Sequence, residues 1–256
     1  MLHYKNIIGE LIGTFILVFI GTGSVAVAVL YGNLNLYQIA GIWSIAVILG
    51  IYASKNLSNA HLNPAVSFGF LVKKDLSPHL FWQYLLGQFM GGLLAGFAVY
   101  FIFRNDITAY EITHHIVRGS ETSKQTAMMF GEFYPNPGNS QLKELSTLTA
   151  FSLEAIGTFV LMMIILLLTH VKKNINAIIP TLIGLTVGGL IILIAPYTQA
   201  GFNPARDFSP RLVSYIMGWG DVVFNLPNFG FLTVYIIAPC VGAGLASYIF
   251  YLKSKK

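Results

Sequence analysis

The chain has 256 residues, of which 55% are hydrophobic and 10% charged, with 15 basic and 10 acidic side chains and a net charge of +5. Soluble domains carry roughly 25% Asp, Glu, Lys and Arg, and disorder needs low hydrophobicity with high net charge. A mean hydropathy of +0.68 excludes both and predicts an integral membrane protein, while the one cysteine, Cys240, excludes an intramolecular disulfide.

A bilayer core takes about 20 helical residues. The first apolar run, Ile7–Leu30, meets that length and carries a carboxylate, Glu10. Ala26-Val27-Ala28 resembles a signal-cleavage site, but the run is longer than a signal core and its Glu recurs later, so it reads as a retained helix. A second span, Gln38–Ser54, carries Trp43 near one end, and an irregular stretch, Asn56–Leu62, leads into a half-length apolar piece, Asn63–Val72. The third span is Leu80–Phe103, in which Gly87, Gly91, Gly92, Ala95 and Gly96 form a small-residue face for close helix packing. Residues 104–147 are the only sizeable polar stretch and are expected to form a long loop. Its His114-His115 pair lacks further ligands at metal spacing, so neither a metal nor a cofactor is expected. The fourth and fifth spans are Leu148–Thr169, with Glu154, and Ala177–Ala195. A second irregular stretch, Pro196–Phe202, leads into a second half-length piece, Asn203–Met217, and Gly230–Leu252 is the sixth span.

The elements repeat. Glu10-Leu-Ile-Gly-Thr-Phe15 matches Glu154-Ala-Ile-Gly-Thr-Phe159 at an offset of 144, and Asn63-Pro64-Ala65 matches Asn203-Pro204-Ala205 at an offset of 140. Gln88-x-x-Gly91 is a fainter match to Pro239-x-x-Gly242. Two halves, about 5–103 and 148–253, each hold three spans and one half-helix within a single domain. An odd number of spans inverts the second half relative to the first. The fold class is therefore all-α: six transmembrane helices and two re-entrant half-helices in an inverted repeat. Lys5, Lys55, Lys73, Lys74, Lys172, Lys173, Lys253, Lys255 and Lys256 fall on the side that holds both termini, which predicts cytoplasmic termini and an extracellular 104–147 segment. The basic residues thus have a topological role, and no nucleic-acid partner is needed to explain them.

Irregular backbone is tolerated at membrane depth only where it is buried in protein or lines an aqueous cavity. Pro64 and Pro204 suit the first turn of a helix, and Asn63 and Asn203 before them suit N-caps, with their amide NH2 groups expected free to face a cavity. The two half-helix N-termini meet near the midplane, each with about half a positive charge. That arrangement repels cations and offers donors to a neutral oxygen, so it suits a pore for small uncharged molecules. Arg206 lies about 4.5 Å outward of Asn203, and Trp43 about 7 Å above the midplane, so the two side chains can face each other across one constriction. A lone Trp near a helix end also serves as an interfacial anchor. Intramembrane carboxylates are functional by default; Glu10 and Glu154 are expected to accept hydrogen bonds from the buried loop amides, a proton relay being the alternative.

At these residues the sequence resembles the major intrinsic protein family, the aquaporins and glycerol facilitators, over nearly its whole length. Ser58-Asn-Ala-His-Leu-Asn-Pro-Ala-Val66 and Gly201-Phe-Asn-Pro-Ala-Arg-Asp207 resemble the two signature loops. Asp207 after Arg206, Trp43, and Thr113-His-His-Ile-Val-Arg-Gly-Ser120 in the long loop are similar to the glycerol-conducting branch. The resemblance implies an aquaporin-like right-handed bundle and a selectivity filter at Trp43, Ile191, Ala200 and Arg206. It implies a track of backbone carbonyls from Asn59, Ala60, His61 and Leu62 and from Gln199, Ala200, Gly201 and Phe202, with Asp207 joining the two glutamates in bracing the loops. It also implies a homotetramer in the cell membrane. Ile191 stands where many glycerol facilitators have Gly and water-selective members His, and Ala200 where a second aromatic is common. Asn59 stands for the family's usual Gly and tolerates a left-handed backbone. The expected function is passive conduction of glycerol, other small neutral solutes and some water, without ions or protons. A mainly water-conducting channel, an ion-coupled transporter, a membrane enzyme using His61 or the loop histidines, and a structural junction protein are the competing readings.

Overall fold

The computed structural model describes residues 4–170 and 177–254. Lys172, Lys173, Lys255 and Lys256, which carry part of the charge argument for orientation, lie outside the described residues. Helices α1 (Tyr4–Tyr31), α2 (Leu36–Ser54), α3 (Pro64–Val72) and α4 (Pro78–Thr113) make up the first half. A short helix α5 (Lys124–Ala127) lies in the connection, and α6 (Thr147–His170), α7 (Ile179–Thr198), α8 (Pro204–Ser214), α9 (Gly230–Leu232) and α10 (Ala238–Ser254) make up the second. Among the described residues six helical segments are long and apolar enough to cross a membrane, the last running Pro227–Lys253 through a π turn at Thr233–Ile237. There is no strand among the described residues.

The two halves pack by the same plan. α1 lies on α4 as α6 lies on α10, and α1 on α2 as α6 on α7. The half-helices cross over: α3 packs on α10 and α8 on α4, so each is held by the last helix of the opposite half. Close backbone approach is built in by matched glycines. A Cβ on Gly91 would sit 2.4 Å from the Leu11 carbonyl oxygen, and one on Gly242 would sit 2.0 Å from that of Ala155. Neither site admits alanine without moving a helix.

Two expectations about element ends need correction. The polar 104–147 segment is not loop throughout, because α4 continues to Thr113. Hydropathy ends a span where charge begins, but no Gly or Pro interrupts Arg104–Thr113 and the helix runs on past the apolar zone. The remainder is well packed: Phe130, Phe133 and Tyr134 are buried in a second core with Trp219 and Val223. Likewise, the stretch expected to be irregular from Pro196 is helical to Thr198. The last carbonyls of that helix accept bonds from far away in sequence, Ala195 O in addition to the bond from the Gln199 N–H (3.0 Å). Asn136 Nδ2 donates to Ala195 O (2.7 Å), Asn139 Nδ2 to Pro196 O (3.0 Å), and the Asn136 N–H to Tyr197 O (3.0 Å).

Candidate functional site

Pro64 and Pro204 each occupy the first turn of a half-helix, and Asn63 and Asn203 are its N-caps in extended conformation. Asn63 Oδ1 accepts from the Ala65 N–H (2.8 Å); Asn203 Oδ1 accepts from Ala205 (3.0 Å) and Arg206 (3.2 Å). The amide NH2 groups are not wholly free, as expected from sequence, but are half engaged. Asn63 Nδ2 donates to Phe202 O (2.9 Å) and Asn203 Nδ2 to Leu62 O (2.8 Å), which ties the two loops together at their tips. One N–H of each amide remains.

The loops themselves are strained. Ala60, Leu62, Gln199, Ala200 and Phe202 all have positive φ, between 51° and 63°. Asn59, in the place of the family's usual Gly, is not among them; the left-handed residues come one and three positions later. Each such L-residue costs about 1–2 kcal/mol. Glu10 offsets this in the first loop by accepting from Ser58 Oγ (2.7 Å), the His61 N–H (3.0 Å), the Leu62 N–H (2.7 Å) and Gln88 Nε2 (2.7 Å). Glu154 accepts from Thr198 Oγ1 (2.6 Å), the Gly201 N–H (3.0 Å) and the Phe202 N–H (2.8 Å). Bonds to a charged acceptor contribute about 1.5–3 kcal/mol each, which offsets strain in either loop.

The same bonds aim the carbonyls. In a trans peptide the C=O points opposite to the following N–H. The Ala60 N–H turns to Ser58 Oγ (3.0 Å), and those of His61 and Leu62 turn to Glu10. The carbonyls of Asn59, Ala60 and His61 therefore point the other way. The Ala200 N–H on Thr198 Oγ1 (3.4 Å), with Gly201 and Phe202 on Glu154, does the same for Gln199, Ala200 and Gly201. Leu62 O and Phe202 O differ, each being engaged by an asparagine of the other half.

Both loops line one cavity of about 460 Å³. It runs from Lys55, Asp75 and Thr169, at the end that holds the termini, past Asn63 and Asn203 to Trp43, Ile191, Ala200 and Arg206. Those last four residues are brought together in the lining and are only 3–5% exposed. The Arg206 guanidinium lies over the Trp43 indole, 4.3 Å from the ring centroid. The Asp207 N–H donates to Asn203 O (3.1 Å), but its carboxylate turns away from the signature loops. It pairs with Arg211 (2.6 Å) and accepts from the Glu132 N–H (2.8 Å), which anchors the connecting segment. His61 stacks on Phe70 and meets Ser67 Oγ through Nδ1 (3.1 Å), so its ring packs while its carbonyl is presented. Among the described residues no group of three His, Cys, Asp or Glu side chains comes together to hold a metal.

Several participants were not singled out from sequence. Ser58 and Thr198 do matched work at the same offset of 140 as the asparagines, a signal available in the sequence. Tyr84 and Tyr235, at the same spacing as Gly91 and Gly242, brace the loops from the last helix of each half. Tyr84 OH accepts from the Asn59 N–H (3.0 Å) and Tyr235 OH donates to Thr198 O (3.1 Å). Glu132, from the connecting segment, forms an ion pair with Arg206.

Comparison with known proteins places this arrangement. The model of the family described as "Major intrinsic protein" matches residues 1–250. The glycerol uptake facilitator protein of Haemophilus influenzae is 34% identical over 96% of this chain and 92% of its own length. That of Pseudomonas aeruginosa is 35% identical over 95% of this chain and 86% of its own. The X-ray structure of the aquaglyceroporin from Plasmodium falciparum superposes with a TM-score of 0.82 at 27% identity, covering 97% of this chain and 96% of that one.

Proposed function

Because the chain belongs to the major intrinsic protein family, we propose that it is a passive channel through which glycerol, other small neutral solutes and some water cross the cell membrane. Family membership makes it a multi-pass membrane transport protein and not an enzyme. The reading rests above all on the cavity that passes between the two asparagine-capped half-helices. A solute hydroxyl there finds the carbonyls of Asn59, Ala60, His61, Ala200 and Gly201 as acceptors and the remaining asparagine and Arg206 N–H groups as donors. The opposite wall, with Trp43, Val47, Ile183 and Ile191, is apolar. A carbon chain with hydroxyls along one edge satisfies both walls at once. The relatives named as glycerol uptake facilitators support glycerol as one such solute.

Trp43, Ile191, Ala200 and Arg206 act as the selectivity filter, and the half-helix N-termini repel cations at the midpoint. An ion-coupled cycle would need the halves to rock, which is opposed by the paired bonds between Asn63, Asn203 and the opposite loops. The protein functions as a homotetramer with one pore per subunit, its termini cytoplasmic and the 114–146 segment outside. The test is stopped-flow light scattering on proteoliposomes under glycerol, urea and impermeant-sugar gradients. Fast glycerol re-swelling with a low activation energy and no ion gradient is the expected outcome. Water flow without glycerol flow moves the protein to the water-conducting branch, and flow dependent on a proton or sodium gradient makes it a transporter.

A further inference from the structure

Arg206 stands where the repeat in the first half has Val66, so its charge has no symmetric partner. The adjacent Asp207 does not form an ion pair with it, because that carboxylate is held by Arg211 through both oxygens, at 2.6 and 3.1 Å. The counter-charge comes instead from Glu132, 1% exposed, on the segment that belongs to neither repeat. The Glu132 backbone is fixed independently of its side chain. Its N–H donates to Asp207 Oδ1 and its carbonyl accepts from Arg211 Nη2. One carboxylate oxygen meets Arg206, while the other, Oε2, is buried with no hydrogen-bond partner among the described residues. A carboxylate left half satisfied in this way is costly, and its one contact is the filter arginine.

We infer that Glu132 is a positioning and specificity-determining residue of the proposed filter: it holds the Arg206 guanidinium over Trp43 and cancels its charge, so that this part of the path is electrically neutral. Glu132 and Asp207 balance Arg206 and Arg211, and all four are buried. Discrimination at that level then rests on shape and hydrogen bonding, and a small anion is refused because no net positive charge is there to attract it. This inference rests on the channel reading proposed above.

Glu132→Gln is nearly isosteric and leaves both backbone tethers in place, so it tests the side-chain charge. In proteoliposomes with a potassium shunt, the variant is expected to pass nitrate, which the wild type excludes. Its glycerol-to-water permeability ratio should shift by about tenfold, because the freed guanidinium changes the hydrogen bonds offered to the two solutes unequally, and a tenfold shift corresponds to about 1.4 kcal/mol of differential barrier. Adding Arg206→Val to Glu132→Gln removes the excess charge and should abolish the nitrate flux, and the effects of the two substitutions on the permeability ratio should be non-additive. Glu132→Asp keeps the charge with a shorter reach; it should alter the ratio while still excluding nitrate. A Glu132→Gln channel with wild-type ratio and no nitrate flux overturns the inference while leaving the channel reading intact. Equal loss of flux for every solute, together with loss of the monodisperse protein, overturns it in favour of a structural strut. A wild-type protein that conducts neither glycerol nor water overturns both.

Discussion

Trp43 sits between two constraints that differ in kind. Arg206 holds one face of the indole, and on the other side a Cβ on Gly21 would lie 2.3 Å from Trp43 Cη2. Gly21 thus sets how far the ring can withdraw from the path. Gly21→Ala is expected to push the ring into the constriction, and overpacking of this kind costs about 1–3 kcal/mol. Glycerol permeability should fall by about tenfold, and water permeability by less, in the same light-scattering assay. Trp43→Ala should act in the opposite direction and raise the permeability of longer polyols relative to glycerol. Unchanged relative permeabilities across a polyol series would remove Trp43 from the filter. Helix rise put Trp43 and Arg206 at a similar depth, and the family resemblance implied that they share one constriction. Glu132 was not legible in the sequence, because its place depends on how a segment outside the repeat folds back, and that path is set by tertiary bonds to Asp207, Gln199 and Arg211.

At the scale of elements, each re-entrant loop is a strained backbone held by one carboxylate. Glu154→Gln keeps the shape but replaces a charged acceptor by a neutral one and brings an NH2 group against the Gly201 and Phe202 N–H donors. A loss of about 2–3 kcal/mol is expected from the weakened bonds, seen as a lower unfolding temperature in detergent together with reduced glycerol flux. An unchanged unfolding temperature would show that the loop conformation is held by other contacts. The six spans and both half-helices were legible because hydrophobic length and the Asn-Pro-Ala repeats mark them directly. Their ends were less so. α7 runs through Pro196 because Asn136 and Asn139 satisfy its last carbonyls, and α4 runs beyond Phe103 because helix can continue where apolarity stops. Asn59 can tolerate a left-handed backbone, but that conformation falls on Ala60 and Leu62, where propensity gives no signal for it.

For the whole molecule, the proposed orientation can be read by thiol labelling. Cys240 is partly buried and is first replaced by Ser. A membrane-impermeant maleimide should then label Thr122→Cys on intact cells and Lys74→Cys only after permeabilisation; the reverse pattern would invert the topology. Both positions are exposed on this chain.

The crossed packing of α3 on α10 and of α8 on α4 bears on how the chain is made. A ribosome delivers α3 early, when the helix it packs against has yet to be synthesised. Pro64–Val72 is too short to cross a bilayer unaided, so it must wait near the interface, or loosely among α1, α2 and α4, until Ala238–Ser254 emerges. The second half-helix has no such delay, since α4 is already in the membrane. Biogenesis is therefore asymmetric although the finished molecule is nearly two-fold, and a chain released before its last span should leave its first signature loop open to protease while the first two spans are already protected.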